Sequence, residues 1–280
     1  MRKINLLILA FSGILLVSCQ KEIDWATSSG GGGGTDGDLL VSALQVTVST
    51  NDTNRLAFEW DGSKRLTQYK SFGKVSGVAT DILHKITRLG DGKIARIVSK
   101  TSLSALIDST VYTPFYNGAQ LRYVIDTQYT VIGNILDSIV YTYTAGKVSA
   151  KETYSDFFGG MDISGKETYE YDASGNVTVI KTYSPDGLGG VDLAGTTTNT
   201  YDGHKAMVTL GEESYIVLGA ANVSPRNSVK QVTNAVSSGT TYTSVISNFV
   251  FNSFDRPRAA SIKVTPQPPG YDLKLSFFYQ

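Results

Sequence analysis

The chain has 280 residues, of which 25 are basic, 25 acidic, two are histidines and one is a cysteine. Balanced charge gives no reason to expect nucleic acid or anionic lipid as a partner. A single cysteine allows no internal disulfide, so the core must hold without covalent staples.

Arg2 and Lys3 form a short positive start, and an apolar run from Leu6 to Val17 follows, broken only by Ser12 and Gly13. That run is too short for a bilayer core, which needs about 20 apolar residues. A basic start, a short apolar stretch and a small residue before a cut describe a secretory signal. Leu16-Val17-Ser18-Cys19 resembles a lipobox, in which the cysteine takes a diacylglycerol and the chain is cut before it. The resemblance implies cleavage between Ser18 and Cys19, lipid on Cys19, and attachment to the outer membrane. Removing residues 1–18 leaves 23 basic against 25 acidic side chains.

Gln20-Lys21-Glu22-Ile23-Asp24 resembles the surface-export signal of Bacteroidota lipoproteins, a Lys-plus-acidic tract directly after the lipidated cysteine. It implies a domain that faces out of the cell; Ile23 interrupts the acidic pair. Thr27 to Gly37 is Ser, Gly and Thr with one Asp, and Gly30–Gly34 are consecutive glycines. Such a segment cannot bury enough apolar surface to offset its ordering entropy. Residues 19–38 are therefore expected to be a leash, reaching about 25 Å root-mean-square.

Residues 39–280 read as β throughout, with Tyr, Thr, Val, Ile and Phe alternating with polar residues. Leu56-Ala57-Phe58-Glu59-Trp60 and Leu273-Lys274-Leu275-Ser276-Phe277 each place an apolar residue at every second position, as a strand with one buried face requires. One turn recurs along the chain. Trp60-Asp61-Gly62, Leu89-Gly90-Asp91-Gly92, Tyr116-Asn117-Gly118, Tyr143-Thr144-Ala145-Gly146, Tyr171-Asp172-Ala173-Ser174-Gly175 and Tyr201-Asp202-Gly203 share it. Their glycines are 30, 26, 28, 29 and 28 residues apart. Phe254-Asp255-Arg256-Pro257 continues the series, Asp255 lying 52 residues beyond Gly203, with a weaker member at Pro225–Val229 between them.

Asp or Asn begins such a turn by bonding its own backbone, and Gly takes the positive φ of a tight hairpin. An aromatic just before the turn is placed to clamp a strand pair. A period near 28 holds two strands of about ten residues and two turns, so eight units give about sixteen strands. The expected fold is all-β: a large antiparallel up-and-down meander, closed or nearly closed into a barrel because open edges invite aggregation. A direct duplication supports the repeat, Thr153–Asp172 being copied with one insertion at Thr182–Asp202.

Tyr169-Glu170-Tyr171-Asp172-Ala173-Ser174-Gly175-Asn176, with Tyr183 beyond it, resembles the YD repeat of Rhs-type shell proteins. The organisation of residues 39–280 is similar to that of a family of uncharacterised Bacteroidota lipoproteins with a porin-like β fold. That resemblance implies a barrel-like domain and brings no activity or site residues with it.

Catalytic chemistry finds little support. Gly160–Lys166 fits seven positions of a P-loop, but Glu167 stands where Ser or Thr must hold Mg²⁺. His84 and His204 carry no triad or zinc signature around them, and no cofactor or metal is expected. Asp156, Asp162, Asp186 and Asp192 lie in the duplicated Gly-rich loops and read as turn formers before calcium ligands. Trp60 and the tyrosines could stack on sugars, although aromatics before turns more often pack across strands. Asp108-Ser109-Thr110 and Asp137-Ser138-Ile139 resemble the short O-glycosylation motif of Bacteroidota secreted proteins.

The expected protein is a non-enzymatic, lipid-anchored envelope barrel that binds an extracellular ligand, a glycan or an envelope protein. The alternative is a structural periplasmic lipoprotein without a small-molecule ligand. A membrane-spanning barrel fits the strand length, but Lys and Glu recur on faces that would meet lipid. A hydrolase would show itself by two carboxylates close together in a cleft.

Overall fold

The structure, a computed structural model, describes residues 38–75, 77–102, 106–156, 161–266 and 272–280. The signal sequence, Ser18, Cys19, Gln20, Lys21 and Glu22 lie outside the described residues. Sixteen strands run in chain order: β1 Leu40–Thr47, β2 Thr53–Trp60, β3 Leu66–Val75, β4 Val78–Arg88, β5 Ile94–Thr101, β6 Ile107–Asn117, β7 Gln120–Thr130 and β8 Gly133–Thr144. The second half comprises β9 Lys147–Asp156, β10 Met161–Tyr171, β11 Val177–Pro185, β12 Val191–Lys205, β13 Arg226–Ala235, β14 Thr240–Phe251, β15 Pro257–Thr265 and β16 Asp272–Tyr279. Each pairs antiparallel with its neighbours in sequence, and β1 closes on β16 through Ala43 opposite Phe277 and Gln45 opposite Leu275. The expected meander is thus a closed barrel.

The recurring turns all lie at one end. In the first, Asp61 Oδ1 accepts the amides of Ser63 and Arg65 at 2.8 and 3.0 Å. In the seventh, Asn252 Oδ1 accepts those of Phe254 and Arg256, both at 3.0 Å. Gly92 and Gly175 take the positive φ that these turns need, but in the first turn Lys64 takes it (φ 59°), not Gly62.

One sequence expectation needs correction. Between Tyr201 and Pro225 the chain does not simply turn. Residues 206–225 form an insert carrying a π-helical turn at Ser214–Leu218 and a 3₁₀ turn at Ala220–Val223. The insert plugs the short-turn end. Its Val208, Leu210, Ile216 and Ala220 join one apolar cluster with Leu66, Ile94, Leu121, Val148 and Val177, the first or second residues of five odd-numbered strands. Complete burial of each Leu, Ile or Val contributes roughly 1.5–3 kcal/mol, so this layer anchors plug and wall together. Further along the barrel the interior turns polar. There Asn54 bonds Gln45, Ser71 and Thr80, and Ser155 bonds Ser164 at 2.8 Å.

Candidate functional site

A bulge lies near the end of each of β2, β4, β6, β8, β10 and β12, just before Trp60, Arg88, Tyr116, Tyr143, Tyr171 and Tyr201. Bulges re-aim a side chain. Here each side chain reaches the start of the preceding strand, and Tyr279 does the same at the end of β16. Trp60 Nε1 donates to the Leu40 carbonyl at 2.8 Å, Tyr171 Oη to Val148 at 2.8 Å, Tyr201 Oη to Val177 at 2.7 Å and Tyr279 Oη to Pro257 at 2.8 Å. Tyr116 accepts the Ile94 amide at 3.0 Å, and Tyr143 takes a backbone hydrogen bond from Leu121. The aromatics therefore clamp strand pairs, but each pair is the hairpin closed at the far end rather than the one joined by the adjacent turn.

The β4 unit departs from the pattern. Arg88 stands where the other units carry an aromatic. Its guanidinium still reaches the equivalent carbonyl, Leu66, at 3.2 Å, and it also meets Glu213 of the plug at 3.2 Å. Side-chain exposures of 12% and 4% make this a buried ion pair, whose loss on one side leaves an uncompensated charge. Next to it Tyr116 donates to Glu212 at 2.8 Å. Burial raises the Glu212 carboxyl pKa, opposed by that hydroxyl and reinforced by Glu213. Tyr171, having given its proton to Val148, accepts from Tyr215 at 2.7 Å, and Ser224 joins Tyr201 at 2.9 Å. A cavity of about 90 Å³ remains between the plug and the wall. Asn199, Gln231 and Ser244 line its polar side, with Phe249, Leu275 and Phe277 on the apolar side.

Two acidic side chains face each other inside the wall, Asp126 on β7 and Asp137 on β8, paired in register. Gln128 Nε2 donates to Asp137 at 3.2 Å. Burial pushes the Asp126 pKa up to about 7, reinforced by the Asp137 charge and opposed by Lys151. Asp126 is only 8% exposed, so the pair is enclosed by the wall rather than set in a cleft. His84 on β4 is likewise buried, stacked on Tyr69 with centroids 5.7 Å apart, and desolvation lowers its pKa to about 4. None of these roles was read from sequence. The one available signal was the missing aromatic at Arg88.

The remaining sequence candidates separate. His204 is exposed and bonds Asp255 at 2.6 Å, which raises its pKa. Asp186 is a turn former, accepting the amides of Leu188 and Gly190 at 2.7 and 3.0 Å. Asp156, Asp162 and Asp192 stand at the same end of the barrel. Met161–Lys166, the described part of the P-loop-like stretch, is strand. In the glycosylation-like motifs Ser109 is buried, while Ser138 pairs with Ile125 and Tyr154 on the outer face.

The outer wall carries charge at mid-height. Lys70, Glu152, Lys166, Lys181 and Lys230 sit near the middle of β3, β9, β10, β11 and β13. The first lies over the exposed ring of Phe72 at 4.9 Å. Lys166 pairs with Glu152 at 2.7 Å, and Lys181 with Glu170 at 2.8 Å. Across β6–β8, by contrast, the outward register rows from Phe115–Tyr123–Val140 to Val111–Thr127–Leu136 carry no charge.

Fold and interior together define a plugged, sixteen-stranded up-and-down barrel. No protein-family model matches the chain, and no curated protein matches it. Solved structures do. The chain is similar to a porin-like protein from Bacteroides vulgatus ATCC 8482, with 11% identity, a TM-score of 0.54 and coverage of 86% of this chain and 98% of that one. It is also similar to a porin-like protein from Bacteroides uniformis ATCC 8492, with 11% identity, a TM-score of 0.53 and coverage of 89% and 99%. At that identity the likeness is one of fold, and it agrees with the barrel implied by the sequence resemblance.

Proposed function

We propose that this chain is a non-enzymatic cell-envelope barrel that stands in water and is held to the outer membrane by lipid on Cys19. Gln20, Lys21 and Glu22 direct it outwards, and it binds an extracellular partner, a glycan or an envelope protein. The observation that carries this reading is the charged belt on the outer wall. A lysine at the midplane of a bilayer costs a barrel about 2–4 kcal/mol. Four of them, at 70, 166, 181 and 230, would cost on the order of 10 kcal/mol, as much as a whole domain's stability. Water is therefore the favoured surrounding, and the link to the envelope falls to the N-terminal cysteine. The plug fills one end of the lumen, which favours binding at surfaces over passage of solutes.

Radiolabelled palmitate should enter the wild-type protein and not a Cys19→Ala variant. Protease added to intact cells should then remove the barrel. Protection until the outer membrane is opened would instead support a periplasmic scaffold.

A further inference from the structure

The two ends of the barrel differ in chemistry. At the short-turn end the loops are built mainly from Asp, Asn, Gly, Ser and Lys, with Leu89 and Phe254 as half-exposed apolar exceptions. At the other end, hairpin after hairpin lifts an aliphatic side chain into solvent: Val78, Leu106, Val131, Ile132, Leu188 and Val236 are each more than half exposed. Ile132 reaches 89% and Leu188 93%. Two of these tips, at Ile132 and Leu188, stand on braced loops. Thr130 Oγ1 accepts the Ile132 amide at 3.3 Å and donates to the Gly133 carbonyl, and Asp186 holds the amide of Leu188. Val131 and Ile132 occupy both positions of a two-residue connection, where hairpins otherwise favour Asn, Asp or Gly. A broken local rule that also exposes two β-branched side chains marks a surface selected for contact.

We propose that this rim rests on a lipid surface, its aliphatic tips dipping among the acyl chains. The inference goes beyond the reading of the protein as a lipid-anchored barrel but rests on its attachment to a membrane. Three observations favour lipid as the occupant. The tips stand on separate hairpins around a ring, so they offer no continuous patch for a protein groove, whereas a bilayer receives each tip independently. Below the Val131–Ile132 tip, Tyr129 sits half-exposed on the uncharged panel of β6–β8, at the depth where tyrosine favours the headgroup boundary. The charges flanking the tips are mostly acidic, Asp162, Asp186 and Asp192 standing beside Asp108, which pairs with Lys100 at 3.9 Å, and this excess disfavours anionic headgroups by repulsion. The leash permits this orientation. Asp38 lies at the plugged end beside Arg256, and the nineteen peptide units back to Cys19 span at most about 65 Å. A barrel wall of ten-residue strands stands only about 30 Å tall.

The test uses the full chain reconstituted on phosphatidylcholine vesicles, with a nitroxide on Ile132→Cys, on Leu188→Cys, or on Ser63→Cys in the opposite turns. Flotation reports attachment, and collision with an aqueous nickel complex against oxygen reports depth. The labels at 132 and 188 should lose nickel access and gain oxygen access on vesicles while the label at 63 stays aqueous. Phosphatidylglycerol should weaken the shielding. Flotation with position 132 as aqueous as position 63 overturns the rim inference and leaves the anchor standing, whereas no flotation overturns both. Shielding of 132 already present without vesicles would mean that a second copy covers the rim, and would overturn the lipid assignment.

Discussion

Tyr171 donates its hydroxyl to the carbonyl of Val148, 2.8 Å away and twenty-three residues earlier in the chain. The same relation recurs at Trp60, Tyr201 and Tyr279, so one bond, repeated, closes the open ends of successive hairpins. A neutral hydrogen bond of this kind contributes about 0.5–1.5 kcal/mol net. Tyr171→Phe also leaves Tyr215 without its acceptor. Urea unfolding should show a loss of about 1–2 kcal/mol with the barrel's circular dichroism retained.

Arg88 and Glu213 tie the plug to the wall. Arg88→Ala leaves a buried carboxylate unpaired and should destabilise by about 3–5 kcal/mol. Arg88→Met with Glu213→Leu removes both charges and should recover most of that loss. If the double variant is as unstable as the single one, the ion pair is not what holds the plug.

Much of this fold was legible in the sequence, and the reason is local. Turn chemistry at Asp61, Asp172 and Gly175, together with alternation in stretches such as Leu56–Trp60, acts within a few residues, so the period, a strand number near sixteen and the tendency to close could be read, although Gly203 and Pro225 flank one connection rather than marking two turns. The plug could not. Residues 206–225 fill a gap of nearly one period, and their apolar pattern is satisfied only by strands far away in sequence. Asp126 and Asp137 meet because β7 and β8 pair in one register, and a one-residue slip of β8 would turn Asp137 outwards and leave Asp126 alone inside. Neither residue alone signals a pair. Arg88 was legible only as an exception to the repeat, and its partner Glu213 lies 125 residues away.

The two histidines should titrate far apart. Burial holds His84 near pKa 4, whereas Asp255 raises His204 above its ordinary value. Proton NMR should show one imidazole protonating above pH 6.5 and the other still neutral at pH 5.5. Two coincident titrations would contradict the burial of His84.

Asp126 should give stability a pH dependence of definite sign. Its pKa is about 7 in the fold and 3.8 as the ordinary value. Between those pH values the native state holds a proton that the unfolded chain lacks, so this contribution is full below pH 4 and is lost as pH rises to 7. His84, lowered to about 4, contributes in the opposite sense, being favourable above pH 6.5 and lost as pH falls towards 4. Asp126→Asn removes only the first effect. The variant should gain on wild type by about 2–4 kcal/mol between pH 4 and 7, measured by urea unfolding across that range.

Gly73 sits with φ +131°, and a Cβ there would lie 2.2 Å from the Thr53 carbonyl oxygen on β2. Gly73→Ala should therefore cost more than about 1 kcal/mol, read as a lowered thermal midpoint. An unchanged midpoint would mean that β2 and β3 separate freely at that position.

The central claim is a barrel whose wall stands in water, held to the membrane through its N-terminal cysteine and not by spanning the bilayer. Carbonate-washed membranes test it most directly, because alkaline washing strips surface contacts but leaves lipid anchors and spanning barrels in place. Wild-type protein should stay in the washed membranes. A chain whose residues 1–19 are replaced by an ordinary cleavable secretory signal should fold and leave with the wash. If that chain remains in the membrane, the charged outer wall does not keep the barrel out of the bilayer, and the account is wrong.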